Sequence, residues 1–261
     1  MQRETIEPKK KLPKEWDMID AIIILNVISE ADRLANARRE LRKLNLEDCA
    51  YIIRSTKDEQ SAAKGCYESH RYAAKMSLDR HWKKTLILED NFCIREDPLP
   101  KLRRSLEALP SEADGGWYVL KIGHFPLLPW YDWKTKLWKG KSLWCTAQVI
   151  SEDYAHWFPR WKDVESGVIR SLTRLGRNSI DRIQMSEIGS KTYMTIPSLV
   201  FVQEHMGRSS SFGQYLGSGY RMQRLVQFIF PIFYLLFLGY VLYRIWCFRT
   251  LAKAAFKKKK K

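Results

Sequence analysis

The chain has 261 residues, enough for one large domain or two small ones, and a body of this size buries a full core without disulfide or metal crosslinks. Its 45% hydrophobic and 13% aromatic residues exclude a disordered, collagen-like or low-complexity protein. The net charge of +16 is concentrated in residues 221–261, which hold ten basic side chains and no acidic one. The remaining 35 basic and 29 acidic residues come close to balance, so we predict no nucleic-acid partner.

The five cysteines are widely spaced and include no C-x-x-C pair. This spacing predicts neither a disulfide framework nor a zinc site. Cys66 is predicted to lie near a helix start, where a thiolate is stabilised, but no base partner is visible in the sequence. A packing role is the favoured interpretation of this cysteine.

The two ends of the chain differ in character. Residues 1–18 form a basic lead without the apolar segment of a secretory signal, and residues 1–14 of it are predicted to be mobile. Leu225–Tyr243 is a run of 19 uncharged residues, which predicts one transmembrane helix over residues 225–247. A buried core helix is the alternative. Residues 213–224 are then a linker and residues 248–261 a basic tail.

The basic tail bears on localisation. The basic residues after Tyr243 predict that the C-terminal side of the membrane helix is cytosolic. Lys257–Lys261 fit a retrieval signal of endoplasmic reticulum membrane proteins, or binding to anionic lipid headgroups. We therefore expect a single-pass, C-terminally anchored protein of the endomembranes, with the bilayer as a partner. The sequence does not decide on which side of the membrane residues 19–212 lie.

The first part of the body has the pattern of an α/β fold. Ala21–Leu25 predicts a buried strand, Glu30–Leu44 an amphipathic helix and Ala50–Ile53 a second strand, which together begin a βαβ unit. Another helix is predicted over Ala62–Arg80, followed by a buried strand at Thr85–Leu88. Later elements are predicted as strands at Trp117–Ile122 and Leu143–Ile150, a helix at Glu152–Trp161, and a strand with a turn over Lys191–Phe201.

Acidic side chains follow the strand Thr85–Leu88 directly. Glu89, Asp90 and Asn91 are placed by this pattern at the carboxyl edge of the sheet, where open α/β sheets bind ligands. Their hard oxygen atoms suit Mn²⁺ or Mg²⁺, and such a cation bridges the phosphates of a nucleotide. A solvated turn at the strand end is the alternative.

Upstream, small and hydroxyl residues occupy the predicted start of a helix. Gly65, Ser69 and His70 stand where backbone N–H groups approach a phosphate closely. Asn26, Asp32 and Arg33 flank the first strand-to-helix turn, where a nucleobase or ribose fits. These six residues are the predicted donor-binding set.

In order along the chain, these motifs resemble glycosyltransferase family 25, which includes lipooligosaccharide and procollagen galactosyltransferases. The family's G-C-x-x-S-H is complete, its strand followed by L-E-D-D is matched by Leu88 to Asn91, and its opening N-L-D-R-R-P-D-R is matched only at its ends. Weaker similarities continue to about residue 212, at Ile180, Asp181, Pro197, Leu199, Gln203, Ser209 and Ser210.

The resemblance implies a GT-A-like, Rossmann-type nucleotide-sugar-binding domain over residues 19–212. It implies metal-assisted transfer of a hexose, commonly galactose, from a UDP-sugar to a hydroxyl of a glycan, glycolipid or protein acceptor, with inversion. The metal would be Mn²⁺ or Mg²⁺, held by Glu89, Asp90 and Asn91. Asp181 is the candidate for the general base that takes the acceptor's proton, or for acceptor binding.

Two departures from the family pattern keep a second hypothesis open. Asn91 stands where the family usually has a second Asp, and Val27–Ala31 lacks the family's Asp and Arg pair. A catalytically inactive, membrane-tethered binding or scaffold protein is the alternative to an enzyme.

Aromatic residues are the last candidates. Trp130 and Trp133 lie in a stretch with Pro and Lys and without regular periodicity, so we predict that their indole faces bind the acceptor sugar. Ordinary core or interface packing is the alternative. His205 is a candidate late metal ligand, with a structural histidine as the alternative.

Overall fold

The structure is a computed structural model that describes residues 2–58, 62–94, 96–160 and 180–202, together with residues 228, 229, 232, 235, 236, 239, 240 and 243. Within these ranges the strands are β1 Arg3–Ile6, β2 Ala21–Val27, β3 Ala50–Ser55, β4 Lys84–Glu89, β5 Phe92–Ile94, β6 Val119–Asp132, β7 Leu137–Ser151, β8 Thr192–Met194 and β9 Val200–Val202. The α-helices are α1 Ala31–Arg42, α2 Ala62–Asp79, α3 Leu99–Ala108, α4 Glu152–Trp157 and α5 Ile180–Glu187.

The predicted βαβ unit is confirmed. β2 pairs in parallel with β3 on one side and with β4 on the other. Ile22, Ile23 and Ile24 are fully buried, since helices cover both faces of the parallel strands. One core forms around α1, through Ala37 and Leu41, and a second core lies against α2 on the opposite face. The α/β class is therefore the observed one.

The central sheet is mixed rather than a parallel layer. Its seven strands follow the order β1-β3-β2-β4-β7-β6-β8. β1 pairs antiparallel with β3, and β7 runs antiparallel to both β4 and β6. The three neighbouring strands β3, β2 and β4 run in parallel. The candidate site lies at the edge of the sheet where these strands have their carboxyl ends.

The N-terminal lead is partly ordered, which corrects the prediction that it is mobile. Arg3–Ile6 forms an edge strand against β3, and Arg3 pairs with Glu68 of α2 at 3.3 Å. The four residues alternate between half-buried and exposed and hold a single aliphatic side chain, so hydropathy alone does not reveal the strand.

The hairpin of β6 and β7 is much longer than its predicted strands. Gly123, Pro126 and Pro129 interrupt the alternating pattern in the sequence, whereas in the structure the pairing passes them with register shifts at Lys121/Gly123, Gly123/Phe125 and Pro126/Leu128. These irregularities bend the hairpin. β8 consequently pairs both with the start of β6 and with Trp138 and Lys139 near the start of β7.

The predicted linker over 213–224 and basic tail over 248–261 lie outside the described residues, as does most of the predicted transmembrane segment. Within the described part of the chain, no helix combines the length and apolar character needed to cross a bilayer. The predicted division of the chain into domains stays a prediction.

A close packing point at Gly123 gives a test of the bent hairpin. A Cβ atom at this position would lie 3.0 Å from the Ala147 side chain and 3.1 Å from the Val200 carbonyl oxygen. We expect Gly123→Ala to lower the free energy of unfolding by about 1–3 kcal/mol, because backbone must shift to admit the methyl group. Urea unfolding measures the change.

Gly189→Ala is the matched control, since its added Cβ would meet only the Lys141 side chain at an ordinary 3.5 Å. Equal stability losses in the two variants would contradict the close approach at Gly123.

Candidate active site

The candidate site begins where β2 and β4 end side by side. Leu25 and Glu89 are register partners, so Asn26 and Asp90 follow them at the same edge of the sheet. The backbone N–H of Asp90 donates to the Leu25 carbonyl at 3.1 Å, which fixes the chain as it leaves β4.

Two side chains on the α1 face hold Asp90, and a backbone hydrogen bond from Val27 adds to them. Its side chain accepts a hydrogen bond from Asn26 Nδ2 at 2.8 Å, and Arg33 NH1 lies 3.4 Å from its other oxygen. Asn26 Nδ2 also donates to the Glu30 carbonyl at 3.0 Å, so the amide bridges the turn before α1 and the carboxylate. Burial raises the pKa of Asp90 from 3.8 to about 6, against the opposing effects of Asn26 and Arg33.

Glu89 faces the other side of the sheet, toward α2. Its Oε1 accepts from Cys66 Sγ at 3.4 Å and lies 3.3 Å from His70 Nε2. Although burial opposes ionisation, the pKa of Glu89 lies below its ordinary value because His70 and Cys66 bond to the carboxylate and the Lys121 charge adds to them. Burial, reinforced by the neighbouring Glu89 charge, raises the pKa of the Cys66 thiol well above its ordinary value.

The predicted metal set Glu89, Asp90 and Asn91 is thus divided between two environments. Successive side chains of a strand point to opposite faces, and here Glu89 joins α2 while Asp90 joins the start of α1. Asn91 is 7% exposed, and its buried Oδ1 has no hydrogen-bond partner among the residues that the structure describes. Binding of a cation by all three residues together stays a prediction.

A chain of buried polar groups extends from His70 across the sheet. Gln148 Nε2 lies 3.3 Å from His70 Nδ1, and Gln184 Nε2 donates to Gln148 Oε1 at 3.2 Å and to the Tyr154 hydroxyl at 2.9 Å. Gln148 lies on β7 and Gln184 on α5, so residues far apart in sequence meet in one network. We call it the polar cluster; its members are Cys66, His70, Glu89, Lys121, Cys145, Gln148, Tyr154, Asp181 and Gln184.

Asp181, the predicted base, belongs to the same cluster. Its Oδ1 accepts from Cys145 Sγ at 2.9 Å and lies 3.8 Å from Lys121 Nζ. Lys121 is 1% exposed, whereas the Asp181 side chain keeps 20% exposure. Burial and the Asp181 charge together raise the pKa of the Cys145 thiol, so this sulfur is a neutral donor to the carboxylate.

The remaining donor-binding predictions have mixed placements. Asp32 is exposed on α1. Gly65 and Ser69 lie inside α2, where the Ser69 hydroxyl donates to the Gly65 carbonyl at 2.9 Å and lies 3.1 Å from Ser55 Oγ. These contacts serve the packing of α2 against β3, and phosphate binding by this segment stays a prediction.

The predicted acceptor tryptophans lie at the bent end of the hairpin. Trp130 is 43% exposed and Trp133 is 73% exposed, so neither is a core residue. The Trp133 ring packs edge-on against Tyr131, whose register partner is Trp138. Exposure excludes a core position for these two rings, whereas interface packing and sugar binding both stay predictions. His205, Gln203, Ser209 and Ser210 lie outside the described residues.

Several members of the polar cluster were missed by sequence reasoning. Lys121 and Gln148 each interrupt a predicted buried strand with a long polar side chain. A buried polar residue needs a partner, so this interruption was the available signal. Cys145, Tyr154 and Gln184 carry no comparable signal, because each fits an ordinary buried or amphipathic position.

Comparison with known proteins adds little to this geometry. No model of a protein family matches the sequence, and no curated protein matches it. The fold is similar to A197 from STIV, at 11% identity over 69% of this chain and 83% of that chain, with a TM-score of 0.39. It is also similar to a glycosyltransferase involved in the glycosylation of the major capsid of PBCV-1, at 8% identity over 80% and 99% of the two chains, with a TM-score of 0.45.

Likeness at these TM-scores carries no inference about activity. The resemblance to glycosyltransferase family 25 is not confirmed by any family model.

The raised pKa of Asp90 predicts a pH-dependent stability difference. The Asp90 carboxyl has a pKa of about 6 in the folded protein and 3.8 in the unfolded chain. Between these pH values the unfolded chain ionises first, so the folded state loses stability as pH rises through this window. We expect Asp90→Asn to gain stability over the natural protein as pH rises from 4 to 7, by up to about 3 kcal/mol. Urea unfolding at several pH values measures the difference.

Asp79→Asn, on an exposed position of α2, is the control and is expected to track the natural protein. A stability difference for Asp90→Asn that is constant across this pH range would contradict the raised pKa.

Proposed function

We propose that the protein is a metal-assisted glycosyltransferase that moves a hexose from a UDP-sugar to a hydroxyl of a glycan, glycolipid or protein acceptor. The observation that supports this most directly is the environment of Asp90. A buried carboxylate stands at the carboxyl edge of β2 and β4, held by Asn26 and Arg33. The next residue, Asn91, has an amide oxygen without a hydrogen-bond partner within the described ranges.

The residues of this edge fit a divalent cation and a diphosphate. Asp90 and Asn91 offer the hard oxygen ligands that Mn²⁺ and Mg²⁺ prefer, and each oxygen of Asp90 keeps acceptor capacity beyond its present contact. When bound, the cation would neutralise charge that develops on the leaving diphosphate. Arg33, beside the same carboxylate, is placed to pair with a phosphate oxygen.

Asp181 is the proposed general base. The register of β7 against β4 ends with Ala147 beside Leu88. Because Cys145 contacts Asp181, the partly exposed carboxylate of α5 belongs to the polar cluster with Glu89, on the face of the sheet opposite to Asp90. Lys121 and Cys145 hold its Oδ1, which leaves the second oxygen to take the proton of an acceptor hydroxyl.

The bent hairpin supports the acceptor assignment. Met194 of β8 is register partner to both Lys121 and Trp138, so these two lie two strand spacings apart, or about 10 Å. Trp138 contacts Tyr131, and Tyr131 contacts Trp133. The exposed indole rings at this end of the hairpin suit the apolar face of a sugar.

Galactose as the sugar, inversion at its anomeric carbon, and an endomembrane anchor complete the proposal on sequence grounds alone. The uncharged run at Leu225–Tyr243 and the lysines that follow it are the basis for the anchor.

Removal of the Asp90 charge tests the cation site. We expect Asp90→Asn to lower Mn²⁺-dependent turnover of the UDP-sugar by roughly 100-fold, because one anionic ligand is lost where charge develops on the leaving group. Release of UDP measures turnover, and Asp79→Asn is the matched carboxylate control, expected to keep full activity. Unchanged turnover in Asp90→Asn would remove Asp90 from the site.

Removal of the proposed base has a different signature. Asp181→Asn is expected to lower transfer by about 100-fold or more, while UDP affinity stays unchanged, since the base acts on the acceptor and not on the nucleotide. Transfer assays combined with UDP titration separate these effects. Loss of UDP affinity in this variant would place Asp181 in donor binding.

A catalytically inactive binding or scaffold protein is the second candidate. The specific observation in its favour is that Asp90 and Asp181 both already bond to neighbouring side chains. Calorimetry with UDP and Mn²⁺ decides between the two. Binding without turnover supports the scaffold, whereas absence of binding contradicts both functions.

A further inference from the structure

We propose that Cys66, His70 and Glu89 form a zinc site on the α2 face of the sheet, separate from the cation site proposed at Asp90. The inference does not rest on the proposed glycosyltransferase activity. It reverses the expectation from cysteine spacing, since Cys66 is the single cysteine ligand, His70 lies on the same helix and Glu89 ends a neighbouring strand.

The separations of Glu89 Oε1 from the other two ligand atoms are close to those in a tetrahedral zinc centre. One sulfur, one imidazole nitrogen and one carboxylate oxygen lie within 4.8 Å of one another. His70 Nε2 and Glu89 Oε1 are 3.3 Å apart, and Cys66 Sγ and Glu89 Oε1 are 3.4 Å apart. Ordinary Zn–N, Zn–O and Zn–S bond lengths in a tetrahedron give separations of about 3.4 Å and about 3.6 Å for these pairs.

The ligand types favour zinc over the hard cations. A thiolate and an imidazole suit zinc, whereas Mn²⁺ and Mg²⁺ prefer oxygen atoms alone. Cys66 and His70 are four residues apart on α2, which puts them on one face of the helix, and Glu89 ends the strand that packs against it. Three protein ligands leave the fourth tetrahedral position to water.

A second layer of contacts orients the imidazole. His70 is 1% exposed, and its Nδ1 lies 3.3 Å from the Gln148 side-chain amide. With zinc on Nε2, the proton would sit on Nδ1, and the Gln148 amide would turn its oxygen to accept it, giving up the hydrogen bond that Gln148 Oε1 now accepts from Gln184 Nε2. Cys66 releases its thiol proton to solvent on binding.

Lys121, whose charge acts on Glu89, is already paired with an anion. Lys121 acts on Glu89 through its charge, but its ammonium group lies 3.8 Å from Asp181. Asp181 therefore offsets the positive charge that would otherwise oppose a metal ion beside Glu89.

Cobalt substitution tests the site in the full-length protein. Metal-free protein titrated with Co²⁺ is expected to show one equivalent of four-coordinate cobalt, with a thiolate-to-cobalt charge-transfer band that Zn²⁺ abolishes by displacement. Cys66→Ser removes the charge-transfer band, and Cys49→Ser, a buried cysteine distant in the fold, keeps it. Asp90→Asn also keeps it, because Asp90 lies on the other face.

Two further variants distinguish loss of the zinc site from misfolding of the protein. Circular dichroism checks that each variant is folded. Glu89→Gln keeps the shape of the side chain and is expected to weaken zinc binding by tenfold or more. Gln148→Leu is expected to weaken it by roughly 10- to 100-fold through loss of imidazole orientation. Natural protein without the band, or a band that persists in folded Cys66→Ser protein, would overturn the proposal.

Discussion

Side chains alternate across a β-strand, and this constraint organises the whole candidate site. Glu89 and Asp90 are adjacent, so the end of β4 sends one carboxylate to each face of the sheet. On one face Asp90 meets Asn26 and Arg33, and on the other Glu89 meets Cys66 and His70. The same two residues therefore belong to two different chemical environments a few ångströms apart.

The two environments treat charge in opposite ways. Burial dominates at Asp90 and raises its pKa to about 6, while hydrogen bonds from His70 and Cys66 lower the pKa of Glu89. A carboxyl group with a raised pKa is stabilised in its ionised form by a bound cation. A carboxylate already held ionised, beside a thiol and an imidazole, is a preformed ligand. This contrast is the physical reason for assigning a hard cation to one face and zinc to the other.

The polar cluster also shows how a buried network is kept satisfied. Lys121 lies fully inside the sheet layer, where an unpaired charge would be strongly destabilising. Asp181 and Cys145 meet its ammonium group, and Gln148 and Gln184 bond to each other across β7 and α5. Strands from the middle of the sheet and a helix late in the chain are thereby joined by polar contacts as well as by apolar packing.

Local pattern in the sequence determined the βαβ opening, the buried strand before Glu89 and the helix that carries Cys66 and His70, because periodicity and burial of apolar side chains are local properties. Only the tertiary structure decided the partners. Asp90 meets Asn26, and Glu89 meets His70, through pairing and packing between elements whose separation in sequence says nothing about contact. The ordered edge strand Arg3–Ile6 and the bent hairpin follow the same rule, since backbone pairing to an existing sheet edge needs no hydrophobic pattern of its own.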